Sequence, residues 1–183
     1  YVGDNAGNTH ATGNACVYVG RACDCSGNSV TQENVFGDSL GGKGNNTTYL
    51  GGTNGVYNEA NQSSFQTTSD IRIKKNVIDN TSGLDKINQI RVRNFEYRTP
   101  DEIDYTEFVE GTNPKSIPIN KEGVQLGVIA QEIEEVLPEI VNTQSTGVKT
   151  VDPDNLTWYL VNAVKELSAE NTALKARLDA AGL

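Results

Sequence analysis

Methionine is absent from all 183 residues, and histidine and tryptophan occur once each. With Tyr1 in first place, the chain reads as the tail end of a longer protein, so its lack of a leader excludes little. No run approaches the roughly 20 apolar residues that a membrane-spanning helix needs, and mean hydropathy is −0.47. A soluble chain with no membrane partner is expected. Basic residues are sparse, 15 against 24 acidic for a net charge of −9. A nucleic-acid surface would be basic and clustered, so no nucleic-acid partner is expected. Cysteine pairs are lacking too: Cys16, Cys23 and Cys25 are an odd number crowded at one end, a poor disulfide framework. The single-residue gap between Cys23 and Cys25 is not the usual CxxC half of a zinc site. They read as small, semi-apolar residues of a reduced compartment. His10 has no neighbours to complete a ligand set, so no metal and no other cofactor is expected.

What the chain does have is divided sharply near residue 68. Residues 1–68 hold 12 of the 18 glycines and only Arg21 and Lys43 among the basic residues. Within them a short motif recurs: Tyr1-Val2-Gly3, Tyr18-Val19-Gly20, Val35-Phe36-Gly37 and Tyr49-Leu50-Gly51, spaced by 17, 17 and 14 residues. Gly, Asn, Ser and Thr between the motifs supply turns. Each unit reads as a very short strand and a tight corner, and such units must stack on neighbours in the chain or on other chains. Roughly 60 residues with few large apolar side chains give a monomer little core, so three chains wrapped together are expected. A flexible Gly/Asn linker is the alternative, and the in-phase recurrence argues against it.

Residues 69–183 read as mixed α and β. Ser82 is placed to cap a short helix from Leu84 to Ile90. The alternation through Arg91–Arg98 predicts a strand. Residues 99–120, with Pro100, Gly111, Pro114 and Pro118, predict a loop or insertion. Val124–Val128 predicts a strand, followed by a helix carrying Ile129, Ile133, Val136 and Leu137 that Pro138 limits. Val148–Val151 predicts another strand. Asp152 before Pro153 then predicts a capped helix start. Beyond it, Leu160, Leu167 and Leu174 share one heptad position and Val164, Asn171 and Leu178 the other, an a/d seam with a single polar Asn at a. Glu170 and Lys175 fall at the g and e positions that meet across a parallel interface. The alternative is an amphipathic helix packed on its own domain.

The junction reads Thr67-Thr68-Ser69-Asp70-Ile71-Arg72-Ile73-Lys74-Lys75-Asn76. A serine five residues before a lysine is uninformative as spacing, but the chemistry it can support is specific. A serine hydroxyl needs a base, and a neutral lysine can serve, as in Ser-Lys enzymes.

Three stretches, SDIRIKKN, LGVIAQEIEEVLPEIV and VD…LTWYLVNAVKEL, together resemble signature regions of the intramolecular chaperone auto-processing domain. That self-cleaving serine peptidase family ends phage tailspikes, endosialidases, tail fibres and neck appendages, and a related copy occurs in a eukaryotic membrane-bound transcription factor. The resemblance covers roughly residues 69–183 in the same order. It implies an α+β fold in an intertwined homotrimer: a triple-stranded β-repeat stem over 1–68, then a mixed α/β chaperone domain over 69–183 ending in a parallel coiled-coil helix at about 153–180. It implies cleavage at Thr68–Ser69 with Ser69 as nucleophile and Lys74 as general base, and supporting roles for Asp70 and Arg72. The implied partners are two further copies and the chain's own stem as folding client. The implied location is the virion, after synthesis in the host bacterial cytoplasm, with the chaperone part released. A non-cleaving trimerisation module, an adhesin stalk and the transcription-factor version are the alternatives. The last would carry a DNA-binding domain upstream, which the Gly/Asn repeats do not resemble.

Overall fold

A computed structural model describes residues 1–8, 12–51, 59, 65 and 67–182, so His10 lies outside the described residues. The chain forms two compact units, each discontinuous in sequence. One comprises Tyr1–Asn61, Asn94–Gly127 and Thr143–Thr150, the other Gln62–Arg93, Val128–Asn142 and Val151–Leu183. The first unit thus draws residues from both sides of the composition change at 68.

In the first unit, the repeats become rungs. β1 (Thr12–Asn14) pairs in parallel with β3 (Ser29–Thr31), and β2 (Val17–Val19), β4 (Asn34–Phe36) and β5 (Thr48–Leu50) pair in parallel in that order. Tyr18 lies beside Val35 and Val35 beside Tyr49, so the motif periods of 17 and 14 are the rung lengths. Val2 extends the ladder by bridging to Val19. The glycine ending each motif has a steric cause. A Cβ on Gly20, at φ +125°, would stand 1.7 Å from the carbonyl oxygen of Gly37, and one on Gly3 would stand 2.4 Å from that of Gly20. Only glycine lets successive rungs approach this closely.

Stacking within one chain encloses Tyr18, Cys23, Cys25, Val30 and Val35, with Ala6, Cys16, Leu40 and Tyr49 packed on them. The three cysteines are free thiols. The rungs stack within the one chain and give it an interior of its own, where the sequence reading expected a monomer to have little core. Glu33 is fully buried there, a position the sequence did not flag. Its carboxylate accepts from the Tyr18 hydroxyl (2.9 Å), the Ser26 amide (3.0 Å) and the Gly44 amide (2.8 Å), the donors that a buried charge requires. Burial, followed by the Glu33 charge, pushes the Tyr18 phenol far above its ordinary range.

Strands β6 (Arg93–Phe95) and β7 (Gln125–Gly127) form a two-stranded sheet. The insertion between them is three 3-10 turns, Pro100–Glu102, Tyr105–Glu107 and Pro114–Ser116. Their starts are capped by Thr99 with Glu102, by Asp104 and by Asn113. β8 (Val141–Thr143), which the sequence did not reveal, pairs with β9 (Lys149–Val151).

The second unit is built on three helices, α1 (Leu84–Gln89), α2 (Ala130–Glu134) and α3 (Asp154–Ala180). Ile133, Leu137 and Ile140 are its buried centre, flanked by Ile90, Val128, Val136, Val141, Val151, Leu156 and Tyr159. α3 starts one residue later than the expected Asp152 cap: Pro153 holds the cap position, and the Asp152 carboxylate accepts from the Asp154 amide at 3.0 Å. α1 is not capped by Ser82. Gly83 holds the cap position, and the Leu84 amide donates instead to Glu166 of α3 at 3.0 Å. Gly83 is buried because a Cβ there would lie 2.3 Å from the Ala163 amide nitrogen. Gly83→Ala is therefore expected to cost about 1–3 kcal/mol, read as a lower midpoint in thermal unfolding. An unchanged midpoint would mean that the α1–α3 contact tolerates more space. No helix among the described residues is long and apolar enough to cross a membrane.

Candidate functional site

Ser69 and Lys74 lie in a stretch with little regular structure, and five extended residues would hold their Cα atoms roughly 16 Å apart. One turn of 3-10 helix, Ile71–Ile73, removes that separation. Its ends are closed by the Ile73 amide donating to the Asp70 carbonyl (3.2 Å) and the Lys74 amide to that of Ile71 (3.1 Å). The chain then folds back on itself, and Lys74 Nζ reaches Ser69 Oγ at 2.6 Å. The two residues singled out from the sequence are in direct contact.

Asp70 and Arg72 explain why the turn forms. The Asp70 carboxylate accepts from the Arg72 amide at 2.9 Å, capping the turn. It also accepts from the Arg72 guanidinium, Nε at 3.0 Å to both oxygens and Nη2 at 2.6 Å. Capping and pairing act in the same direction, fixing the backbone between Ser69 and Lys74. The Arg72 side chain, with its amide, holds the Asp70 carboxyl below its ordinary value. Arg72 is thereby engaged by Asp70 and positions the turn, rather than standing as a free cation beside Lys74. Just after the dyad, Asn76 adopts left-handed backbone (φ 54°), which turns the strap away.

Asp70→Ala is expected to slow any chemistry at Ser69 by about 10- to 100-fold, because the reacting groups lose their fixed distance. A depressed folded pKa means that the capping contribution is present above the unfolded carboxylate value, near 3.9, and is lost as pH falls through the lower folded value. The turn should hold unchanged from neutral pH down to about 4, read by the Arg72 amide chemical shift. A loss between pH 6 and 8 would contradict this assignment.

Thr68, Ser69 and Lys74 are exposed in the single chain, and so are Ile71, Ile73, Val77 and Ile78 around them. An apolar strap at the surface surrounds the dyad. On α3, Leu160, Val164, Leu167, Leu174 and Leu178 are likewise exposed, and the Asn171 side chain donates to the Leu167 carbonyl of its own helix. The same helix buries Ala163 and half-buries Leu156 and Tyr159. The apolar residues of the predicted seam are thus partly exposed in the single chain. Among the described residues, no group of three or more His, Cys, Asp or Glu could hold a metal.

Residues 69–142 match the family model Peptidase_S74, described as chaperone of endosialidase. The match begins at Ser69 itself and takes in the Asp70–Arg72 clamp, Lys74 and α2, and it ends before α3.

Proposed function

We propose, from the match of residues 69–142 to the chaperone of endosialidase model, that this chain is the chaperone-bearing part of a trimeric phage tail fibre or tailspike. In this reading residues 69–183 template the stem and are then released by self-cleavage at Thr68–Ser69. The observation that carries the reading is the 2.6 Å approach of Lys74 Nζ to Ser69 Oγ, on the residue that follows the junction.

The reaction balances within the chain. Neutral Lys74 takes the Ser69 hydroxyl proton while Oγ attacks the carbonyl carbon of Thr68. The C–N bond breaks, the proton passes from Lys74 to the leaving nitrogen, and that nitrogen becomes the free amine of Ser69. Thr68 is left as an ester on Ser69 Oγ. Water hydrolyses the ester to the Thr68 carboxylate and the Ser69 hydroxyl. Each chain reacts once, because its substrate is its own backbone.

The exposed dyad supports a dependence on assembly. In water the serine and lysine compete with solvent, whereas a covering surface would exclude water and strengthen their interaction. Two further copies, joined through the α3 stripe, would bring the apolar straps together and supply that cover. The partners are then two copies of the chain and its own stem, within the virion. The same exposure also favours a second reading, a trimerisation module that never cuts. A denaturing gel with intact mass separates the two: self-cleavage yields fragments of 68 and 115 residues, and the module yields only the 183-residue chain.

A further inference from the structure

The insertion and the β8–β9 turn rest on the repeat stem, within one compact unit. The Asn113 amide donates to the Ser26 carbonyl at 2.6 Å, and its side-chain amide donates to the Cys25 carbonyl at 2.7 Å. Gly27 bridges to Thr112. One rung further, Lys43 Nζ donates to the Ser116 carbonyl at 2.8 Å, and Ser145 Oγ accepts from the Asn45 amide at 2.9 Å. Nearly every stem group contacted is backbone, which carries no residue identity. Steric room supplies the missing selectivity. A Cβ on Gly41 would stand 2.7 Å from the Lys115 carbonyl carbon and 2.8 Å from the Ser116 nitrogen, and one on Gly44 would stand 2.7 Å from Ser145 Oγ.

Rung stacking makes this selective. Asp24 pairs with Gly41 one rung apart, and Asp24 carries a buried side chain bonded to the Cys25 amide where Gly41 has none. The Lys115–Ser116 backbone therefore fits the Gly41 rung and is excluded from the Asp24 rung. A stem threaded one rung out of place would present a side chain to a surface that has no space for it.

We infer that residues 109–116 and the 143–147 turn are a register gauge that accepts the stem only where Gly41 and Gly44 face it. This rests on the chaperone reading above and adds to it the recognition surface and what that surface reads. The gauge holds by a few hydrogen bonds and leaves the buried Ser116 hydroxyl without a partner among the described residues, which suits a template that later leaves.

Gly41 has ordinary negative-φ backbone, since no left-handed angle is found there, so Gly41→Ala tests space alone. In a Ser69→Ala background, which the proposed chemistry leaves whole, amide hydrogen exchange is read at single residues. The Asn113 and Ser116 amides should exchange at least about tenfold faster, while the ladder amides of Gly37 and Gly51 keep their rates. Unchanged Asn113 and Ser116, or equal loss at Gly37 and Gly51, would overturn the gauge; the latter would make Gly41 a requirement of the rung itself. Asn113→Ala removes the bond to the Cys25 carbonyl from the opposite side without altering the stem sequence and, because it also uncaps the Pro114–Ser116 turn, is read by refolding of the stem alone. On refolding from denaturant, both variants should regain ladder protection at Gly37 and Gly51 at least about tenfold more slowly than the parent. Equal refolding would leave a contact with no templating role and sink the proposal. Because all readouts use an uncut chain, failure of the cleavage chemistry would not alter them.

Discussion

Ser69→Ala is expected to leave every chain at 183 residues, with cleavage falling by at least about 10⁴-fold, as removal of a nucleophile does in serine enzymes. Alanine deletes one oxygen from an exposed position, so folding should be unaffected. Lys74→Arg is the more discriminating partner experiment. It keeps a long, nitrogen-tipped side chain, but a guanidinium does not give up its proton and cannot act as base. Both variants should be equally uncut if Lys74 works by proton transfer. A Lys74→Arg chain cut at the parent rate would reduce the lysine to an electrostatic role. Intact mass after prolonged incubation measures both.

The second large effect is expected at the stripe on α3. Leu167 and Leu174 are 49% and 50% exposed in one chain, so replacing both by Asp removes little from that chain's own core. In a closed seam, each carboxylate would have to lose its water with no partner, costing several kcal/mol apiece. The mass in solution should fall from three times 19.7 kDa to 19.7 kDa, as sedimentation would show. Thr68–Ser69 should then remain joined, because the dyad is no longer covered. A double variant that stays trimeric would move the interface elsewhere, and a monomer cut at the parent rate would separate cleavage from assembly.

Helix α3 was the most legible element, since Asp152-Pro153 marked its start and the heptad leucines its uncovered face. The strands before and after the insertion fell where alternation placed them, although only three residues of each are regular. The rung period was also legible in the Tyr-Val-Gly motif. Which chain provides the next rung was not, because parallel stacking i to i+17 looks identical in sequence whether it closes within one copy or between copies. Glu33 escaped notice because a lone carboxylate among Gly and Asn reads as a solvated turn. Its burial depends on amides from Ser26 and Gly44 and the hydroxyl of Tyr18, up to 15 residues away. The Ser69–Lys74 pair was found through resemblance, not spacing. What closes it is the Asp70 cap on a three-residue turn, visible in sequence as an Asp two residues before an Arg, a pattern too common to signify alone.

The most direct measurement is a time course on freshly folded parent protein, following intact mass, N-terminal sequence and oligomeric state together. The expected result is a new N-terminus at Ser69, appearing at a rate that rises with protein concentration and only after trimers form. Trimers that persist as whole 183-residue chains, or a cut at any other bond, would contradict the account.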